Sequence, residues 1–234
     1  MTDAAAVANL ARLLADQSRA AMCLAMLDGS AWTLSQLAST AGVTMSTASE
    51  HVSTLVAAGI LTDERLGRNR YVRLAGQDVG EALEAFSTLA RPAPARSLRG
   101  VGERRRLAAA RTCYDHLAGR LGVVVFDALA ERRLVDSSHG LALTDDGEHW
   151  FESLDVDLDD LRRRRRPLLR ECIDWTERRP HLAGSLGAAL RDRFLERTWV
   201  RRPDRTRRLE VTGMGQQALQ ELLGIEPGRL RVEA

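Results

Sequence analysis

The sequence predicts a mainly α-helical protein with short β-hairpins, divided into an N-terminal head and a duplicated C-terminal part. Three observations indicate this fold class. Two short helical patterns and a basic hairpin pattern follow one another between Leu34 and Leu74, prolines interrupt the chain at residues 92 and 94, and a pattern that begins at His116 recurs at His181. Two helices joined by a tight turn and followed by a hairpin form a winged helix-turn-helix, and a recurring pattern indicates a repeated unit.

Composition favours a globular protein that folds unaided. The chain has 234 residues, of which 44% are hydrophobic, and this is enough for a sizeable core. No apolar run is long enough to span a bilayer, and the N-terminus lacks the basic start of an export signal. Three cysteines argue against a disulfide framework. We therefore expect a cytoplasmic protein without a membrane partner.

The first two predicted helices cover residues 4–16 and 18–27. Asp3 can cap the first helix, whose broad apolar face suits a dimer interface. Cys23 lies between Met22 and Met26 in the second helix. An inert core thiol is the simpler interpretation of Cys23, and a redox-sensing thiol is the alternative.

The next two predicted helices form the helix-turn-helix itself. Apolar spacing favours a helix over residues 34–41, and Gly42 ends it because glycine readily adopts a positive φ. Thr44 or Ser46 can cap the following helix, which buries an apolar stripe and turns small hydroxyl residues outward. Short hydroxyl side chains let a helix enter a DNA major groove.

A basic hairpin, the wing, follows this hydroxyl-rich helix, which is the predicted recognition helix. Strands are predicted on either side of a turn at Gly67, where arginines can reach the DNA backbone or the adjacent minor groove. The candidate DNA-contacting residues have polar or basic side chains on the helix or the wing: Thr44, Ser46, Thr47, Ser49, Glu50, His51, Ser53, Arg65, Arg68, Asn69 and Arg70.

The runs from Leu14 to Ser30, from Gln36 to Leu61 and from Glu64 to Leu74 resemble the ArsR/SmtB-type winged helix-turn-helix repressors. This resemblance covers roughly residues 8 to 90. It implies a symmetric homodimer that binds an operator and releases it when a metal or small-molecule effector binds. The familiar metal motifs of that family are missing, because residues 33–38 contain no cysteine and the helix over residues 78–89 contains no histidine.

Domain boundaries follow from the prolines and from the repeat. We predict a DNA-binding and dimerisation domain over residues 1–91, a linker and helix over 92–110, and a duplicated C-terminal domain over 111–234. The helix over residues 78–89 has an apolar stripe that suits pairing with a symmetry mate.

The pattern of residues 116–122 recurs 65 residues later, and that of residues 141–147 recurs 68 residues later. Each copy is interpreted as helix, short strand, hairpin, short strand and helix. This order is the second half of a winged helix without a hydroxyl-rich face, so we expect a sensory or dimer-bracing role. Six apolar residues are expected to line a cleft for a hydrophobic ligand: Val124, Phe126, Trp150, Leu190, Phe194 and Trp199.

The opening segments of the two copies carry the candidate metal ligands Cys113, His116, Cys172 and His181. Two thiolates and two imidazoles suit zinc or another soft metal. Their spacing matches no standard zinc pattern, and buried structural residues are the alternative. Between the copies, five arginines at residues 162–166 form either a solvated helix face or a contact with flanking DNA.

The expected function is that of a DNA-binding transcriptional regulator, and no catalytic set stands out. The alternatives are a winged-helix dimerisation module of a small enzyme, such as a methyltransferase, and a protein-docking platform with no DNA role.

Overall fold

The computed structural model describes residues 3–67, 69–90, 97–204 and 206–232. The chain divides after Glu84 into two compact units. Helices joined by short antiparallel hairpins make up both units, which confirms the prediction of a mainly α-helical protein with short β-hairpins. The prolines of the predicted linker lie outside the described residues, so the division into 1–91, 92–110 and 111–234 stays a prediction.

The N-terminal unit contains helices around a three-stranded antiparallel sheet of order β1-β3-β2. Its elements are α1 Ala4–Leu14, α2 Gln17–Ala25, a 3₁₀ turn Met26–Asp28, β1 Trp32–Thr33, α3 Leu34–Ala41, α4 Met45–Ala57, β2 Leu61–Leu66 and β3 Asn69–Leu74. Helix α5 Gln77–Leu89 begins in this unit and ends in the next.

Local capping sets the helix starts in the N-terminal unit. The side chains of Asp3, Asp16, Thr33 and Thr44 each accept a backbone N–H in the first turn of the helix that follows. Such caps satisfy amide groups that have no partner within the helix. Gly42 ends α3 with a φ of 67°, as the sequence predicts.

The C-terminal unit repeats one order of elements, which is hairpin, helix, hairpin, helix. After α6 Leu98–Ala109, the first copy contains β4 Arg111–Cys113, β5 His116–Ala118, α7 Gly119–Glu131, β6 Val135–Asp136, β7 Ala142–Leu143 and α8 Asp145–Ser153. Following α9 Leu158–Arg163, the second contains β8 Arg170–Ile173, β9 Pro180–Ala183, α10 Gly184–Glu196, β10 Val200–Arg201, β11 Glu210–Val211 and α11 Gly213–Leu223.

The hairpin that opens each copy is absent from the sequence-based interpretation, which starts each copy with a helix. Strands β4 and β5 have three residues each, and all six residues are buried. A strand buried on both faces has no alternation of polar and apolar residues, and three residues are too few to show a period.

The expected hydrophobic cleft is filled. Val124, Phe126, Leu190 and Phe194 are buried in the core of the C-terminal unit, and the two tryptophans pack against that core. The apolar faces of α7 and α10 belong to one shared core, so their side chains fill the space expected for a ligand. None of the helices in the described part of the chain combines the length and apolar character needed to cross a membrane.

Candidate DNA-binding face and metal centre

Helix α4 separates an apolar face from a polar face. Ala48, Val52 and Leu55 are completely buried against the rest of the N-terminal unit. The opposite side exposes Ser46, Glu50 and Ser53, while the remaining helix candidates Thr47, Ser49 and His51 are half-buried. The cap Thr44 is also exposed, so seven of the predicted residues lie on or beside one accessible helix surface.

A polar groove of about 670 Å³ lies between the start of α4 and the wing formed by β2 and β3. Four of the predicted contact residues line it, and these are Ser49, Arg65, Asn69 and Arg70. The groove also has lining residues that sequence reasoning missed, namely Thr33, Leu34, Ser35 and Met45. Met45 gave no signal of this in the sequence, because it lies seven residues before the buried Val52 and so falls on the apolar stripe by helical spacing, yet it is 51% exposed.

The two candidate DNA-contacting arginines in the described part of the wing, Arg65 and Arg70, differ in the contacts that they make within the chain. Arg65 is exposed, whereas Arg70 donates to the carboxylate of Asp63 at 2.6 Å and to the hydroxyl of Ser53 at 3.5 Å. Arg70 therefore ties the wing to α4 as well as contributing positive charge. The predicted contact residue Arg68 lies outside the described residues.

His51 contacts the body of the N-terminal unit and is not among the residues that line the groove. Its Nε2 lies 3.6 Å from a carboxylate oxygen of Asp16. Hydrogen bonding from the backbone N–H of Arg19, helped by the charge of His51, lowers the pKa of Asp16. The role of His51 in DNA contact stays a prediction.

The four candidate metal ligands lie together in the C-terminal unit. Their ligand atoms are all within 4.8 Å of one another. The two sulfur atoms are 3.8 Å apart, and the two Nε2 atoms are 3.1 Å apart. Cys113, His116 and His181 are buried, and Cys172 is half-buried.

Strand register explains how each hairpin presents a pair of ligands. Cys113 pairs directly with His116 across β4 and β5, and Cys172 pairs directly with His181 across β8 and β9. Directly opposed residues in an antiparallel pair have neighbouring side chains on the same face. Each copy therefore supplies one thiol and one imidazole.

Burial and hydrogen bonds shift the pKa values of three groups in or beside the cluster. Burial alone raises the pKa of Asp115, but hydrogen bonds with His116 and Arg166 outweigh burial and lower this pKa to about 2. Burial alone lowers the pKa of His116, but hydrogen bonds with Asp115 and Cys172 raise it. The hydrogen bond from Cys113 is the main cause that lowers the pKa of the Cys172 thiol.

Sequence reasoning did not identify the groups that support the cluster. Asp115 lies 3.3 Å from Nδ1 of His116 and is held by Arg166, the last residue of the arginine run. Asp174 accepts from Arg111 and from the backbone N–H of Gly119, each at 2.7 Å. Asp115 is the sequence neighbour of His116, but Arg166 lies 51 residues from Asp115 and Arg111 lies 63 residues from Asp174, so no local pattern indicates these pairs.

The arginine run is largely paired with acids. Arg162 contacts Glu148 and Asp159, Arg163 and Arg164 both contact Asp160, and Arg166 contacts Asp115. Carboxylates thus offset most of the positive charge that flanking DNA would need. This pairing favours the solvated helix face over a DNA contact.

The fold and the polar groove define a winged helix-turn-helix protein. Residues 14–64 match the family described as helix-turn-helix domain. Over 221 residues, the chain is 36% identical to YdfF of Bacillus subtilis strain 168, described as an uncharacterised HTH-type transcriptional regulator. This similarity covers 94% of the chain and 98% of the relative. The chain therefore belongs to the HTH-type transcriptional regulators, which are not enzymes.

Solved structures resemble the N-terminal part. The homodimeric winged helix-turn-helix DNA-binding domain Mb0332 of Mycobacterium bovis is 24% identical with a TM-score of 0.34, covering 38% of this chain and 86% of that domain. The cadmium sensor CMTR of Mycobacterium tuberculosis is 29% identical with a TM-score of 0.29, and the similarity covers 38% of this chain and 99% of the sensor.

Proposed function

We propose that this regulator binds an operator in duplex DNA as a homodimer and acts as a repressor that an effector releases. The observation that carries this proposal is the exposed hydroxyl face of α4 beside the polar groove and the wing. Such a helix fits a major groove, and two copies in a symmetric dimer would read half-sites about 34 Å apart.

Exposed apolar residues support dimerisation. Helix α1 has no buried residue and exposes Val7 and Leu10, and α5 exposes Phe86 and Leu89. Large apolar side chains left in water at one face of a helix favour a partner surface. A second copy of the chain is a partner that would cover such faces in a symmetric dimer.

The recognition face can be tested by replacing Ser46, Ser49 and His51 with alanine in the full chain. We expect sequence preference for the operator to be lost, because these three polar side chains belong to the proposed recognition helix and Ser49 lines the groove. The measurement is a gel shift against the upstream region of the gene, with scrambled duplex as competitor. The double change S39A/T40A removes two exposed hydroxyls of α3 away from the groove and should leave binding unchanged. Unaltered binding by the triple variant would contradict the assignment of α4.

We further propose that the C-terminal unit holds the effector response, with a metal ion as the effector. The candidate ligands are Cys113, His116, Cys172 and His181, and zinc or another soft metal is the expected class. The convergence of their four ligand atoms within 4.8 Å supports this proposal over a small-molecule effector. Addition of Zn²⁺ should change operator affinity in the same gel shift, whereas Mg²⁺ should not.

A further inference from the structure

We propose that Cys113, His116, Cys172 and His181 form a closed, four-coordinate Zn²⁺ site that clamps the two copies of the duplicated unit together within one chain. This inference deepens the proposed metal response, on which its regulatory meaning rests. It specifies the metal class, the geometry and a stoichiometry of one ion per chain.

The donor set selects the class of metal. Two sulfur and two imidazole nitrogen donors converge, and no carboxylate oxygen is among the four ligand atoms. Hard ions such as Mg²⁺ and Ca²⁺ prefer oxygen ligands, whereas zinc readily takes Cys₂His₂ sets. Four protein ligands complete a tetrahedron, which is the arrangement of structural rather than catalytic zinc.

The distances match a tetrahedral ion. Zn–S bonds of about 2.3 Å at the tetrahedral angle put two sulfurs about 3.8 Å apart, and Zn–N bonds of about 2.0–2.1 Å put two nitrogens about 3.3–3.4 Å apart. The observed separations are 3.8 Å between the sulfurs and 3.1 Å between the Nε2 atoms.

The framework holds the ligands from both copies. A β-carbon added at Gly122 of α7 would lie 3.5 Å from Cβ of His181, and one added at Gly187 of α10 would lie 3.3 Å from Cβ of His116. Each histidine thus packs against the glycine of the other copy's helix. Because each copy supplies only two of the four ligands, neither copy can complete the site alone.

The surroundings of His116 fit a metal ligand. Nδ1 of His116 lies 3.3 Å from Asp115, and both carboxylate oxygens of Asp115 accept from Arg166. A carboxylate that accepts from Nδ1 leaves the lone pair of Nε2 free for a metal and fixes the ring orientation. Zinc-binding histidines commonly have such a carboxylate partner.

The test uses full-length protein stripped with a chelator and reloaded with Zn²⁺ or with Co²⁺ as a spectroscopic probe. We expect one ion per chain, intense visible bands of tetrahedral Co²⁺, and thiolate-to-metal charge transfer. Zn²⁺ should also raise the Tm, because it binds only the folded chain. Weak octahedral-type bands, one ion per two chains, or no tight binding would overturn the proposal.

The Zn²⁺ affinities of single variants distinguish the metal ligands from cysteine and histidine residues outside the site. Cys172→Ser and His181→Gln should each lower Zn²⁺ affinity at least ten-fold, while the controls Cys23→Ala and His139→Gln should retain it. Asp115→Asn leaves all four ligands in place and should lower affinity by about ten- to a hundred-fold. If the ligand variants do not fold, the Asp115→Asn result decides, and undiminished affinity would count against the site.

A gel shift with the stripped and the reloaded protein distinguishes the two proposals. If metal binds but operator affinity does not change, the Zn²⁺ site that joins the two copies stands, and the proposal that this site binds the effector is contradicted. Absence of operator binding in both states would contradict the proposed function and leave the clamp standing.

Discussion

Single glycines decide how closely the two copies can approach each other. A β-carbon at Gly187 would come 2.6 Å from the carbonyl oxygen of Leu182 and 3.3 Å from Cβ of His116. Backbone atoms cannot move aside as the end of a flexible side chain can. The glycine at this position therefore serves close packing.

Gly187→Ala should lower the free energy of unfolding by about 1–3 kcal/mol, the range for overpacking a tight interior. It should also weaken Zn²⁺ binding, because the added methyl group displaces His116. Gly213→Ala is the matched control, since nothing lies within 4 Å of a β-carbon there. Urea unfolding of both variants measures the difference, and equal stability would contradict the close contact.

At the scale of elements, the hairpin of β8 and β9 is tied to the rest of the unit by Asp174. This carboxylate is buried and pairs with Arg111 at the start of β4, whose guanidinium lies 4.6 Å from the Trp175 ring. Although burial alone raises the pKa of Asp174, the charge of Arg111 and several hydrogen bonds outweigh burial and lower it. Asp174 thus holds the hairpin that carries Cys172 and His181.

Asp174→Asn should destabilise the protein by about 3–5 kcal/mol, because it leaves a buried arginine without its charged partner. A lowered folded-state pKa contributes stability above the unfolded value of about 4 and loses it as pH falls below that value. The difference between wild type and variant should therefore shrink below about pH 4 in urea unfolding. The exposed Asp159→Asn is the control, and a difference that is constant with pH would contradict the charge argument.

At the scale of the whole molecule, the two units divide the proposed tasks of reading DNA and sensing an effector. A chain that ends at Pro94 should still dimerise and bind operator, because α4 and the described part of the wing belong to the N-terminal unit. It should no longer respond to Zn²⁺. Gel shifts of the short and full-length chains, with and without Zn²⁺, measure both effects. A short chain that cannot bind operator at any salt concentration would contradict this division.

The sequence by itself determined the helix-turn-helix, because its signals are local. Caps such as Thr33 and Thr44, the left-handed Gly42 and the apolar stripe of α4 act within a few residues along the chain. The same local patterns revealed the recurrence at His116 and His181, and hence the four candidate ligands. Their chemistry could be predicted before their geometry.

Only the tertiary structure decided which residues far apart in sequence contact one another. The two opening hairpins, the pairing of Arg166 with Asp115 and the burial of Val124 and Phe194 in one core all depend on contacts between segments far apart in sequence. Side-chain packing in three dimensions fixes such contacts, and no residue period records them. For the same reason, the sequence could propose Cys113 and Cys172 as partners, but the fold decided that their sulfur atoms lie 3.8 Å apart.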